Sequence, residues 1–121
     1  MGQDEMARIR RLLSGRKAQH TAELASEMTR LTTTAAALGV DRVILFGSMV
    51  QGEPGLGSDL DLLVVWDTPL DFLARTAELY RRLQPRVAVD LLVYTPEEMV
   101  RMAGTPFIQR ALKSGRVLYE A

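Results

Sequence analysis

The sequence predicts a single small domain, mixed α/β or α+β, with one sheet of about four strands. Short runs of β-branched and aromatic residues alternate with segments of helical period, in the order helix, strand, strand, helix, strand, helix, helix, strand. At 121 residues the chain can bury one core and is too short for two catalytic domains side by side. Apolar residues make up 47% and charged residues 25%, far from a disordered composition.

Leu24, Met28, Leu31, Ala35 and Leu38 recur at alternating steps of four and three, which predicts one buried helical stripe over residues 21–38, closed by Gly39. Met6, Ile9, Leu12 and Leu13 share that spacing but are set apart by Ser14-Gly15. Residues 1–20 are therefore expected to form an arm or short helix ahead of a domain over 21–121.

Residues 42–46 read as a buried strand running into a turn at Gly47-Ser48. Gly47, Gly52, Pro54, Gly55 and Gly57 mark the stretch up to residue 58 as a loop. A second strand is expected over 60–66, apolar except for Asp61 and so buried on both faces.

Pro69 is expected to open a helix with the stripe Leu70, Leu73, Ala77, Tyr80 and Leu83, stopped by Pro85. The third strand is expected over 87–94, with Asp90 in its middle. Thr95-Pro96-Glu97-Glu98 combines an N-cap, a first-turn proline and a capping-box glutamate, so a helix starts there and is broken by Gly104 and Pro106. A short helix over 107–113 and an edge strand over 116–119 complete the chain.

Fifteen basic residues offset fifteen acidic ones, so the chain has no overall attraction to nucleic acid or anionic membrane. The cluster Arg8, Arg10, Arg11, Arg16 and Lys17 reads as a solvated helix face, which makes a nucleic-acid partner unexpected. The absence of cysteine excludes disulfides, thiolate metal sites and cysteine nucleophiles. No run reaches the ~18 to 20 apolar residues of a membrane span, and the N-terminus lacks a secretion signal, so a cytoplasmic protein is expected.

The carboxylates need a separate explanation, because a charge taken out of water costs several kcal/mol even after relaxation (roughly,). Asp59 and Asp61 are two residues apart, and on an extended chain their side chains share a face, ~6.6 to 6.8 Å apart along the strand. Pairing of the second and third strands would bring Asp90 beside them. The structural alternatives are a turn or cap role after Ser58 for Asp59, and an ion pair with an arginine such as Arg42 or Arg86 for Asp61 or Asp90. Three converging like charges repel unless a cation lies between them. Carboxylates without cysteine or histidine are hard ligands, so the expected ion is Mg²⁺, with Mn²⁺ a substitute. The single histidine, His20, is far from the cluster in sequence and reads as a helix or surface residue.

Mg²⁺ completes its shell with water and phosphate oxygens, which points to a phosphate-bearing substrate. Gly47-Ser48 after a strand can turn backbone N–H groups and a hydroxyl toward an anion. No Walker-type phosphate loop is present, and Gly55-Leu56-Gly57 lacks the third glycine of a dinucleotide fingerprint.

Phe46-Gly47-Ser48, ten intervening residues, then Asp59-Leu60-Asp61 resembles the G-S-x10-D-x-D signature of the minimal nucleotidyltransferases, within the polymerase-β-like superfamily. Asp90 matches the family's third acidic residue. The resemblance implies the polymerase-β-like fold, a mixed sheet of about four strands flanked by helices, which binds a nucleoside triphosphate, commonly ATP, and transfers the nucleoside monophosphate to a hydroxyl with release of pyrophosphate. It implies that Gly47 and Ser48 hold the triphosphate and that Asp59, Asp61 and Asp90 ligate two Mg²⁺ ions, Asp90 also taking the proton of the attacking hydroxyl. Members of this size are often antitoxins that adenylylate a small helical partner of the HEPN type. Such a partner is expected here, as is a second subunit or homo-oligomer to complete a shallow site. The sequence departs from the family in placing Met49 and Gln51 where arginines often follow Gly-Ser. That departure motivates an alternative, a binding module that silences a partner by contact. Transfer to an antibiotic is a third reading, although aminoglycoside nucleotidyltransferases carry a further domain.

Overall fold

The computed structural model describes residues 3–47 and 59–121. Its elements are α1 (Gln3–Ala37), β1 (Arg42–Phe46), β2 (Leu60–Val65), α2 (Phe72–Leu83), β3 (Val89–Tyr94), α3 (Pro96–Met102), α4 (Pro106–Ser114) and β4 (Arg116–Glu120). No helix among the described residues is long and apolar enough to cross a membrane.

The first helix is longer than its buried stripe. It passes without a break through Ser14-Gly15, so the segment around Met6 and the stripe from Leu24 form one 35-residue helix. Glycine inside a helix is unfavourable by roughly 1 kcal/mol relative to alanine, a cost that the flanking turns outweigh here. Leu24, Leu31 and Ala35 are buried, with Met28 and Leu38 packed beside them. Met6, Ile9 and Leu12 lie upstream of the sheet and are exposed. The helix stops before Gly39, whose φ of 88° belongs to the left-handed region that glycine adopts freely.

The sheet has the order β3-β2-β1-β4. β1 pairs antiparallel with both β2 and β4, whereas β2 and β3 run parallel and are joined through α2. Side chains of one parity, including Val43, Leu45, Leu60, Leu62, Val64, Leu91 and Val93, share a core with α1 and α2. The opposite parity, Ile44, Leu63 and Val65, packs with Ile108 of α4 and Met99 and Met102 of α3. β2 is buried on both faces, as its apolar run requires.

Two details of the second helix differ from the sequence expectation. Asp71 is the N-cap and accepts a hydrogen bond from Ala74 N–H at 2.9 Å, so the helix opens after Pro69 rather than at it. The buried face is Arg75, Leu79 and Leu83, while Leu73 is 78% exposed. Arg75 is only 3% exposed because its guanidinium meets Glu98 at 2.8 Å and lies 5.6 Å from the Phe72 ring centroid. A polar residue thus takes a core position through pairing, which periodicity alone does not show. Pairing in β3 starts at Val89, two residues later than expected.

The caps of α3 match the sequence reading: Thr95 accepts from Glu98 N–H at 3.2 Å, Glu98 accepts from Thr95 N–H at 2.8 Å, and Pro96 opens the helix. Thr105 caps α4 by accepting from Ile108 N–H at 3.4 Å, with Pro106 in the first turn and no reciprocal side-chain bond. Buried Glu27 ties the turn before β3 to α1: its carboxylate pairs with Arg30 and accepts from Arg86 N–H, while Arg30 donates to Leu83 O and Gln84 O at 3.1 Å each. The hydrogen bond from Arg30 holds the Glu27 carboxyl below the usual carboxylate range, against the opposing effect of burial.

β3 is an edge strand, so its outward backbone groups need partners. The Tyr80 hydroxyl provides them, donating to Val89 O at 2.6 Å and accepting from Leu91 N–H at 3.0 Å. Both bonds flank Asp90. Replacing Tyr80 with Phe is expected to lower stability by about 1 to 3 kcal/mol, measured by denaturant titration, because two backbone groups lose their partner.

Candidate active site

Register places the site. In the antiparallel β1–β2 pair Phe46 stands opposite Asp61, and in the parallel β2–β3 pair Asp61 stands beside Asp90. Phe46, Asp61 and Asp90 therefore form a row across three strands, on the face that packs against α3 and α4. The strands carrying the two acids are about 4.8 Å apart. Asp61 is half-buried between Leu60 and Leu62, both fully buried, and Asp90 is exposed. The row sits at the end of the sheet where β1 gives way to the loop, so solvent and ligands can reach it.

Gly47 follows directly, with φ of 79°. A Cβ there would run into the Asp61 carboxylate, meeting Oδ2 first and lying 3.1 Å from Cγ. The position needs glycine twice over, for its backbone conformation and for the approach of Asp61. Ser48, the other half of the expected phosphate-binding pair, lies outside the described residues, as do Met49, Gln51 and the glycines of the loop.

Asp59 behaves differently from the other two acids. It precedes β2, and its N–H donates to Ala88 O at 2.8 Å while its carboxylate accepts from Ala88 N–H at 3.2 Å. The second carboxylate oxygen lies 3.6 Å from Nε2 of His20 on α1. The structure brings Asp61 and Asp90 together and turns Asp59 toward the seam between β2, β3 and α1. Among the described residues, no three Asp, Glu or His side chains stand within reach of one metal ion.

The donor set nonetheless suits a hard divalent ion. Asp61 and Asp90 offer carboxylate oxygens from adjoining strands, and the Asp90 side chain has no hydrogen bond or ion pair with another described residue. The two arginines that could have paired with an aspartate go elsewhere: Arg42 lies 3.6 Å from Glu120, and Arg86 is exposed with its N–H on Glu27.

His20 is the neighbour that sequence reasoning misses. One signal for it exists, since His20 stands one turn before Leu24 and so continues the buried stripe toward the sheet. Its distance from Asp59 along the chain conceals the contact. Tyr80 reads in the sequence as part of a helical stripe, whereas its hydroxyl brackets Asp90 through the backbone.

Similarity to known proteins identifies the class of domain that carries these paired acids and the glycine turn. Residues 29–121 match the family described as "Polymerase beta, Nucleotidyltransferase", and the chain belongs to that family. A relative in Methanocaldococcus jannaschii named "Putative protein adenylyltransferase MJ0604" is 30% identical over 82 residues, spanning 66% of this chain and 79% of that protein. A crystal structure described as that of "a putative nucleotidyltransferase from Sulfolobus solfataricus" superposes with a TM-score of 0.54 at 20% identity, covering 77% of this chain and 78% of the other. That likeness supports the fold.

Replacing Gly47 with Ala is expected to cost at least ~1 to 2 kcal/mol from the left-handed backbone alone. Displacement of Asp61 should also abolish nucleotide transfer. Thermal melting together with a transfer assay on the same variant checks both effects.

Proposed function

We propose that this nucleotidyltransferase moves AMP from ATP to a hydroxyl group on a partner protein, using Mg²⁺ held by Asp61 and Asp90. The observation that carries the proposal is the register of β2 on β3, which sets two carboxylates side by side next to a glycine turn. The printed name of the Methanocaldococcus jannaschii relative, "Putative protein adenylyltransferase MJ0604", supports AMP as the group and protein as the acceptor.

The acceptor oxygen attacks the α-phosphorus, a new P–O bond forms, and the bond to the β-phosphate bridging oxygen breaks to release pyrophosphate. A divalent ion held by Asp61 and Asp90 would supply positive charge to the triphosphate and would lower the pKa of the acceptor hydroxyl. Asp90, exposed at the end of the row, accepts the hydroxyl proton. Asp61, held against Gly47, fixes the position of the phosphates relative to that base. Asp59, which accepts from Ala88 N–H and lies beside His20, would be the third carboxylate available to such an ion. The acceptor protein is a small helical HEPN-type partner by family resemblance, and a second subunit suits a domain whose acids lie open on a sheet end.

Wild-type protein incubated with α-labelled ATP, Mg²⁺ and its co-purified partner is expected to label that partner. Asp61→Asn should reduce labelling by about 100-fold or more, the scale for removing an electrostatic contact made in the transition state. Equal labelling by an Asp61→Asn, Asp90→Asn double variant would contradict the proposal.

A further inference from the structure

We propose that Arg110 of α4 binds the phosphates of the nucleotide, in a cleft between α4 and the end of β1. This rests on reading the chain as an ATP-using transferase. It addresses a specific deficit, since Met49 and Gln51 leave the segment after Gly47-Ser48 without a cation.

A cleft of about 300 Å³ opens on the carboxylate face of the sheet. Its walls include Phe46 and Gly47 from the end of β1, and Phe107, Arg110 and Ser114 from α4. Gly47 is also the residue against which the Asp61 carboxylate rests, so one backbone turn separates the cleft from the acid row. A triphosphate whose metal is held at Asp61 can therefore extend past Gly47 into this space. The volume is at the lower end of the range for small-molecule sites, roughly 300 to 1,000 Å³. No acidic side chain lines the cleft to oppose an anion.

Arg110 is suited to the role by what it does not do. Arg30, Arg42, Arg75, Arg81 and Arg82 each lie within salt-bridge distance of a glutamate, whereas Arg110 pairs with no described residue. Its helix is well anchored, because Ile108 and Ala111 on either side are buried against the sheet. The base of the side chain is thus held while the guanidinium stays available. A planar guanidinium presents paired N–H donors that match phosphate oxygens, and it keeps its charge at any working pH. The Ser114 hydroxyl, one turn further along α4, adds a donor on the same wall. Phe107 packs edge-on against Phe46 with centroids 5.6 Å apart, so the lining beside Arg110 is apolar where α4 meets β1.

The test is calorimetric titration of ATP with Mg²⁺ into wild type, Arg110→Ala, Arg110→Lys and Lys113→Ala. Lys113 is an exposed cation on the same helix outside the cleft lining, and controls for general charge. Arg110→Ala is expected to weaken ATP binding at least about tenfold, the scale of a charge-assisted hydrogen bond, with an unchanged melting temperature. Arg110→Lys should recover part of the loss, and Lys113→Ala should stay within about twofold of wild type. ATP binding by Arg110→Ala within twofold of wild type, or an equal loss in Lys113→Ala, overturns the assignment while leaving the transferase reading intact. Failure of the wild type to bind ATP overturns both.

Discussion

The parallel pairing of β2 with β3 is the constraint on which the rest of the molecule depends. Two parallel strands cannot be joined by a tight turn, so the chain must leave the sheet and return through α2. That crossover brings Tyr80 over the edge of β3, where its hydroxyl takes the backbone groups on both sides of Asp90. The same pairing sets Asp90 beside Asp61. Shifting the register by one residue would turn Asp90 onto the face packed with Leu79 and Leu83 and send Val89 and Leu91 out of it. Burial of those apolar side chains therefore enforces the arrangement of the acids.

The two faces of the sheet divide the work. One is closed by α1 and α2 over a continuous aliphatic core and holds the strands in register. The other is covered in part by α3 and α4 and leaves the acid row and the adjoining cleft accessible. A buried arginine joins the two systems, since Arg75 of α2 pairs with Glu98 at the start of α3. Asp59 lies where both meet, between Ala88 N–H and His20. Its carboxylate accepts from Ala88 N–H and lies 3.6 Å from His20, while that of Asp90 is exposed.

Much of this is legible in the sequence because local rules and tertiary packing agree at the relevant residues. β1 runs over 42–46 as its β-branched and aromatic residues indicate, and the Thr95–Glu98 capping box forms as written. The four-stranded fold class follows from the order of strand and helix patterns and the family from the Gly47-Ser48 and Asp59-Leu60-Asp61 spacing, and the sheet and the family match over residues 29–121 support them. The features that are not legible depend on partners remote in sequence. Arg75 counts as polar in any periodicity, and only Glu98, 23 residues away, makes its burial tolerable. Ser14-Gly15 has the composition of a helix break, but one unfavourable glycine does not interrupt 35 residues of helix. His20 reaches Asp59 only because α1 lies across the sheet, a placement that depends on packing of the whole stripe. The spacing suggests three converging aspartates, and the structure brings two together, since Asp59 precedes the strand and takes a backbone partner.

The central claim is that Asp61 and Asp90 together hold a divalent ion beside the nucleotide. Counting bound Mn²⁺ by electron paramagnetic resonance, in the presence of an ATP analogue with a non-cleavable α,β bridge, tests it directly. Asp61→Asn and Asp90→Asn are each expected to weaken Mn²⁺ binding by at least about tenfold, because each removes a hard anionic ligand. Wild-type affinity and stoichiometry in both variants would contradict it.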